Sequence, residues 1–362
     1  MKILLLAGEE SGLIYAGRLR EMLGGHEVRG YADYGFATSD LAVMGFGPVL
    51  KRLPFFLGVK RTMQRAIDEW RPDVVCTIDY PGMNLKLAAY AKLRGVRTVH
   101  VVCPQVWAWK SGRIPKIQAS IDRLCCFFPF EPALFRPGFA EFVGHPLVEE
   151  LAGVERPSVP EKGLVALLPG SRIGEIERCL PLMLEALALL PQGVRAVIPA
   201  ANARAKEIAD RIVAMRTDAS RPVETRLGGA RELLARAECA VVASGTATLE
   251  AAILRCPTVL VYRVSAALAW FARRVIKGVR HIGLVNVIWE KGGGAGESPM
   301  PELLQEDFTP GRVADALRRW LDDGAARADA VRRLDESVAA LETDGSAFSR
   351  IVRAVTGEGG AR

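Results

Sequence analysis

Short unbroken apolar runs alternate along this chain with stretches whose apolar positions recur every three or four residues. Lys2–Leu6 reads as a strand and Ser11–Leu23 as the helix after its turn. Asp73–Ile78, rich in β-branched residues, predicts a second strand, and Asn84–Leu93 a helix. Thr98–Val102, Leu124–Phe128 and Phe142–Val143 are further apolar runs. Strands alternating with helices imply a parallel α/β sheet. The pattern breaks at GVERPSVPEK, residues 153–162, read here as a linker, and then restarts. Leu164–Leu168 is a strand, PGSR a turn, and Ile176, Leu180, Leu184 and Leu187 mark one face of a helix. Arg195–Pro199, Cys239–Ala243 and Thr258–Tyr262 supply further strands, and the last forty residues read as one or two charged helices.

The expected fold is therefore α/β, two doubly wound Rossmann-like domains in tandem. They are placed at 1–155 and 160–340, with 341–362 a C-terminal helix and tail that packs on the first domain or on a partner protomer.

Composition narrows the class. Of 362 residues, 50% are hydrophobic and 25% charged, which excludes a disordered or fibrous chain. No run reaches the ~18–20 apolar residues of a membrane span. The first residues lack the apolar region and cleavage site of a signal peptide, so the protein is expected inside the cell. Seven cysteines form no CxxC pair and several sit in apolar runs, as buried reduced thiols do. Four scattered histidines give no metal-ligand spacing, so neither metal nor cofactor is expected. A net charge of +7 suits an anionic partner. Its basic residues are dispersed and no nucleic-acid module appears, so nucleic acid is not expected.

Ligands of doubly wound sheets bind at the C-terminal ends of strands. Gly8-Glu9-Glu10-Ser11-Gly12 ends the first strand, and is either a tight strand–helix turn or a ligand loop; its acidic pair disfavours a pyrophosphate. Gly170, Ser171 and Arg172 offer donors and a guanidinium suited to phosphate, the alternative being a solvated turn. Ser244, Gly245 and Thr246 open a helix, as a plain cap or as a diphosphate site, and Glu250 one turn on can accept from ribose hydroxyls. Asp79 follows a strand directly, as a general base, a substrate anchor or a turn cap. There is no DxD motif. Residues 41–61 mix Val49, Leu50, Leu53, Phe55, Phe56 and Leu57 with Lys51, Arg52, Lys60 and Arg61. That composition fits either a core helix, against which Pro54 argues, or a segment dipping into an anionic leaflet.

These motifs, in this order, resemble the lipid-A-disaccharide synthase family over nearly the whole chain. The resemblance rests on AGEESG at 7–12, LAVMGF at 41–46, IDYPGMN at 78–84, PQVWAW at 104–109, PFE at 129–131 and GHPL at 144–147. LLPGSR at 167–172, SGTATLE at 244–250, Tyr262-Arg263, Asn286 and PELLQ at 301–305 complete it. Leu13 stands where the family pattern carries aspartate.

The resemblance implies the GT-B architecture, two Rossmann-like domains facing across a cleft. It implies an inverting transfer of 2,3-diacylglucosamine from UDP-2,3-diacylglucosamine to 2,3-diacylglucosamine 1-phosphate, giving a β-1′,6-linked disaccharide and UDP. Asp79 then activates the acceptor hydroxyl. Arg172, Ser171, Ser244, Gly245, Thr246, Glu250, Asn286, Glu302 and Gln305 fall on the UDP side, and Glu9, Ser11 and Asn84 on the acceptor side. Val49, Leu50, Leu53, Phe55, Phe56 and Leu57 become membrane contacts on the anionic cytoplasmic face of the inner membrane. Helices of 312–353 pack within the chain or are exchanged in a homodimer. Rival readings are another UDP-sugar enzyme of the same architecture, an epimerase or a lipid-linked transferase, and a non-catalytic UDP-lipid binder at the membrane.

Overall fold

A computed structural model describes residues 1–8, 10–37, 41, 53–109, 111–216, 222–265, 269–270 and 280–358. The chain forms two units: Met1–Pro146 with Thr343–Arg362, and Leu147–Glu342.

In the first unit, strands β1 (Lys2–Ala7), β2 (Glu27–Arg29), β3 (Val74–Ile78), β4 (Arg97–Val101), β5 (Arg123–Cys126) and β6 (Ala140–Phe142) form one parallel sheet in the order β2-β1-β3-β4-β5-β6. Both faces are covered, so the central strands are continuous apolar runs rather than alternating ones. One face carries the helices Glu10–Met22 and Ala347–Thr356, which bury Tyr15, Leu19, Phe348 and Ile351 against β1, β3 and β4. The other carries the helices Leu53–Trp70 and Pro81–Lys92, through Phe56, Val59, Met63, Ile67 and Leu87. Pro54 does not exclude a core helix, because it stands in the first turn, where its missing N–H leaves no bond unmade.

The second unit contains β7 (Glu161–Leu168), β8 (Arg195–Ala200), β9 (Val223–Leu227), β10 (Ala237–Ala243), β11 (Thr258–Tyr262) and β12 (Glu302–Leu304), parallel in the order β12-β11-β10-β7-β8-β9. Helix Ile173–Ala188 covers one face through Ile176, Leu180, Leu184 and Leu187, the face its spacing predicts.

All seven cysteines are buried free thiols. Among the described residues, no helix is long and apolar enough to cross a membrane.

Candidate active site

In the first sheet the strand order reverses at β1, whose neighbours are β2 and β3, and such a reversal opens a crevice at the strands' C-terminal ends. Ala7 is registered with Ile78, so the loops that begin at Gly8 and Asp79 leave the sheet side by side. The two touch. A Cβ on Gly8 would stand 2.5 Å from Tyr80 Cδ1, so only glycine lets the first loop pass under that ring.

Asp79 and Tyr80 both adopt left-handed backbone, at φ 47° and 50°, a conformation that costs energy for a residue with a side chain. The turn is pinned by Asp79 N–H donating to the Val101 carbonyl at 2.9 Å. From below, Asn84 Nδ2 donates to the carbonyls of Asp79 (2.8 Å), Ile78 (3.0 Å) and Leu6 (3.2 Å), while Tyr31 Oη donates to Asn84 Oδ1 at 2.8 Å. Asn84 is wholly buried. Asn84, expected on the acceptor side, spends its amide on these backbone carbonyls and so knits β1 to the Asp79 turn. The Asp79 carboxyl is half-buried, and burial raises it above the usual carboxylate range, partly offset by the Tyr80 N–H. Glu9 lies outside the described residues, and so does the Ser11 side chain.

The second sheet reverses at β7, which lies between β10 and β8. Leu168 is registered with Val242, so the PGSR and SGTA loops also leave side by side. Gly170 takes φ 106°, and a Cβ there would come within 2.5 Å of Glu175 Oε2. Glu175, buried in the first turn of the helix 173–188, accepts from Arg172 Nη1 at 2.8 Å. The Arg172 side chain is still 58% exposed, so its charge is aimed yet open to a ligand. Ser171 is exposed beside it. Ser244 N–H donates to the Val261 carbonyl, and Gly245 and Thr246 are exposed at the start of the helix Thr246–Ile253. Glu250, one turn further, accepts from Arg231 Nε at 2.9 Å, and Arg231 Nη2 reaches Glu150 at 3.4 Å.

Asn286 is also wholly buried. It donates to the Met300 carbonyl and to Glu302 Oε1, both at 2.7 Å, and accepts from Met300 N–H at 3.0 Å. Glu302 in turn accepts from the N–H groups of Ile282 (2.9 Å) and Gly283 (3.1 Å). Asn286, expected on the UDP side, thus holds Glu302, and Glu302 holds the chain entering the helix Leu284–Lys291. Gln305, at φ 53°, pairs its amide with both backbone groups of Val264 at 3.2 Å.

Glu131 of PFE is a buried carboxylate to which the pattern of the chain assigned no task. Its Oε1 accepts from Trp107 Nε1 at 3.1 Å and its Oε2 from Phe128 N–H at 3.2 Å, joining the loops after β4 and β5. Burial pushes its pKa up to about 8. One ligand atom each of Cys103, Cys126 and Glu131 lie within 4.8 Å of one another, yet both carboxylate oxygens already accept hydrogen bonds, so the set fits a metal poorly. Arg231 and Glu150 went unassigned for a simpler reason: each is one charge on a charged helix until folding joins them.

The membrane-contact set divides. Phe56 is buried among Val59 and Met63, because its spacing puts it on the sheet-facing stripe. Phe55 is half-buried against Phe36 and Phe56, whereas Leu53 and Leu57 are exposed. Val49 and Leu50 lie outside the described residues.

A family model described as lipid-A-disaccharide synthetase matches residues 3–347. The lipid-A-disaccharide synthase of Myxococcus xanthus is 35% identical over 373 residues, spanning 96% of this chain and 94% of that protein. That of an Azoarcus species is 34% identical over 361 residues, spanning 92% and 90%. Among solved structures, MurG of Acinetobacter baumannii aligns with a TM-score of 0.62 at 14% identity, over 98% of this chain and 99% of that one. UDP-GlcNAc 2-epimerase of Neisseria meningitidis, bound to UDP-GlcNAc, gives 0.60 at 11%, over 99% and 100%. Two parallel six-stranded sheets of this topology and likeness define the GT-B fold. The match over nearly the whole chain then fixes the branch. The chain belongs to the lipid-A-disaccharide synthetase family and is an enzyme of lipid A synthesis.

Proposed function

We propose that this enzyme transfers 2,3-diacylglucosamine from UDP-2,3-diacylglucosamine to the 6-hydroxyl of 2,3-diacylglucosamine 1-phosphate, with inversion at the anomeric carbon. The observation that carries the reading is the pair of strand-order reversals, each flanked by its motif loops: Gly8 and Asp79 in one unit, Arg172 and Ser244 in the other. Likeness to a structure bound to UDP-GlcNAc supports a UDP-sugar donor.

In this reading the acceptor hydroxyl gives its proton to Asp79 as its oxygen attacks C1 of the donor sugar. The C1–oxygen bond to UDP breaks on the opposite face. Burial makes Asp79 a stronger base than an exposed aspartate. Arg172, Ser171 and the exposed start of the helix 246–253 neutralise charge growing on the leaving diphosphate. Glu250 accepts from the ribose, and Glu302 and Gln305 hold the loops beside it. Leu53 and Leu57 meet the surface of the anionic inner leaflet, where the acyl chains of both substrates remain; the enzyme works at its cytoplasmic face. A homodimer is part of the same proposal.

The test is incubation of purified protein with both substrates in detergent, without added metal, followed by mass spectrometry. Disaccharide 1-phosphate and UDP in equal amounts are expected. Absence of disaccharide over several acyl lengths overturns the substrate assignment.

A further inference from the structure

At the edge of the first sheet where β4 and β5 begin, opposite the Asp79 end, the chain forms an open cavity of about 490 Å³. Four guanidiniums line it, those of Arg97, Arg123, Arg350 and Arg353, against the two carboxylates of Glu141 and Glu358. They converge from β4, β5 and the helix 347–356, so only the folded unit assembles them.

Their charges are poorly matched. Arg350 approaches Glu141 only at 3.7 Å, and its Nε is buried with no partner. Among the described residues, no carboxylate pairs with Arg97, Arg123 or Arg353. Arg97 is fixed instead by the carbonyls of Val355 (2.9 Å) and Ala354 at the end of the C-terminal helix, where a cation offsets the helix dipole. Gly357 makes room for it, since a Cβ there would stand 2.9 Å from Arg97 Nη1. Arg123 is steadied by the Gly138 carbonyl at 2.7 Å. Cations held at fixed positions around a polar space, with too few acids to neutralise them, form a site for an anion rich in acceptor oxygens.

We propose that this cavity binds a phosphate-bearing anion, and that the bound anion clamps the helix 347–356 to the sheet. The phosphate is that of a soluble metabolite or of a lipid headgroup, chemistries the arginines do not distinguish.

Calorimetric titration of the full chain with inorganic phosphate tests it, with UDP present to occupy the other phosphate-binding loops. Wild-type protein should bind, and the double variant Arg123→Gln/Arg353→Gln should bind at least about tenfold more weakly, the loss of charge-assisted bonds. Glu141→Gln removes a competing carboxylate and should bind several-fold more tightly, a gain that misfolding cannot mimic. In flotation with phosphatidylglycerol–phosphatidylcholine vesicles, loss of binding by the double variant would assign the phosphate to a headgroup. Unchanged flotation with weakened phosphate binding would assign it to a soluble ligand. No phosphate binding by the wild type, or identical titrations of wild type and variants, would overturn the proposal.

Discussion

Asn84 and Asp79 are joined at 2.8 Å, side-chain amide to main-chain carbonyl, beneath a turn that two left-handed residues make costly to form. That bond is the side-chain donor to the Asp79 carbonyl, while the Met83 and Asn84 N–H groups serve Tyr80. Asn84→Ala would leave buried carbonyls and the Tyr31 hydroxyl unpaired, at about 1–3 kcal/mol for each unsatisfied group. The expected outcome is a lowered Tm and lowered kcat with the acceptor KM nearly unchanged. A raised KM at constant kcat would instead make Asn84 a direct acceptor contact.

Asp79→Asn should lower turnover at least about a hundredfold while UDP affinity survives. Its carboxyl is raised by burial, so the folded state holds the proton more tightly than the unfolded state does. Ionisation therefore costs stability, a cost absent below the unfolded pKa and complete above the folded one. The variant should be more stable than the parent at pH 7 and no more stable at pH 3. Thermal unfolding at both values checks this, and equal differences would refute it.

At Glu131 the same sign applies over a wider interval. Its pKa rises from 4.5 to about 8, so the stability that its neutral form contributes is full below about pH 4.5 and is lost as pH climbs through 8. Glu131→Gln should flatten this part of the stability profile, measurable by urea denaturation from pH 5 to pH 9.

Asn286→Asp would set a carboxylate against Glu302 Oε1, where the parent has a donor at 2.7 Å. Like charges at this distance cannot both ionise cheaply. Tm should fall near neutral pH and recover on acidification, with weaker UDP binding alongside. A pH-independent loss would point to packing alone.

Leu53 and Leu57 face outward whereas Phe56 faces the sheet, so serine at these places should have opposite consequences. Leu53→Ser/Leu57→Ser should reduce flotation with anionic vesicles and leave Tm nearly unchanged. Phe56→Ser should cost about 3–5 kcal/mol. If the leucine pair floats as the parent does, this helix is not the membrane contact.

Long elements were legible wherever one physical rule governed them. Leu164–Leu168 and the face of Ile176, Leu180 and Leu184 are buried as their periodicity predicts, and the glycine and hydroxyl loops lie at the strand-order reversals. Short edge strands were not legible. Glu27–Arg29 carries two charges in three residues, and it is held by Trp70, which donates to Glu27 and stacks under Arg29 at 4.6 Å. The burial of Asn84 and Asn286 was equally hidden: an asparagine in a motif looks the same whether its amide meets solvent or backbone. Burial belongs to residues far apart in the chain.

The return of residues 343–358 to the first unit sets an order of assembly. Tyr15, Phe127 and Val355 share one core, so the first unit to emerge from the ribosome is the last to be completed. Until some two hundred intervening residues have been made, helix Glu10–Met22 alone covers this apolar face of the sheet and the remainder of it stays open. That interval makes the growing chain a customer for chaperones, and a stalled or truncated one a seed for aggregation.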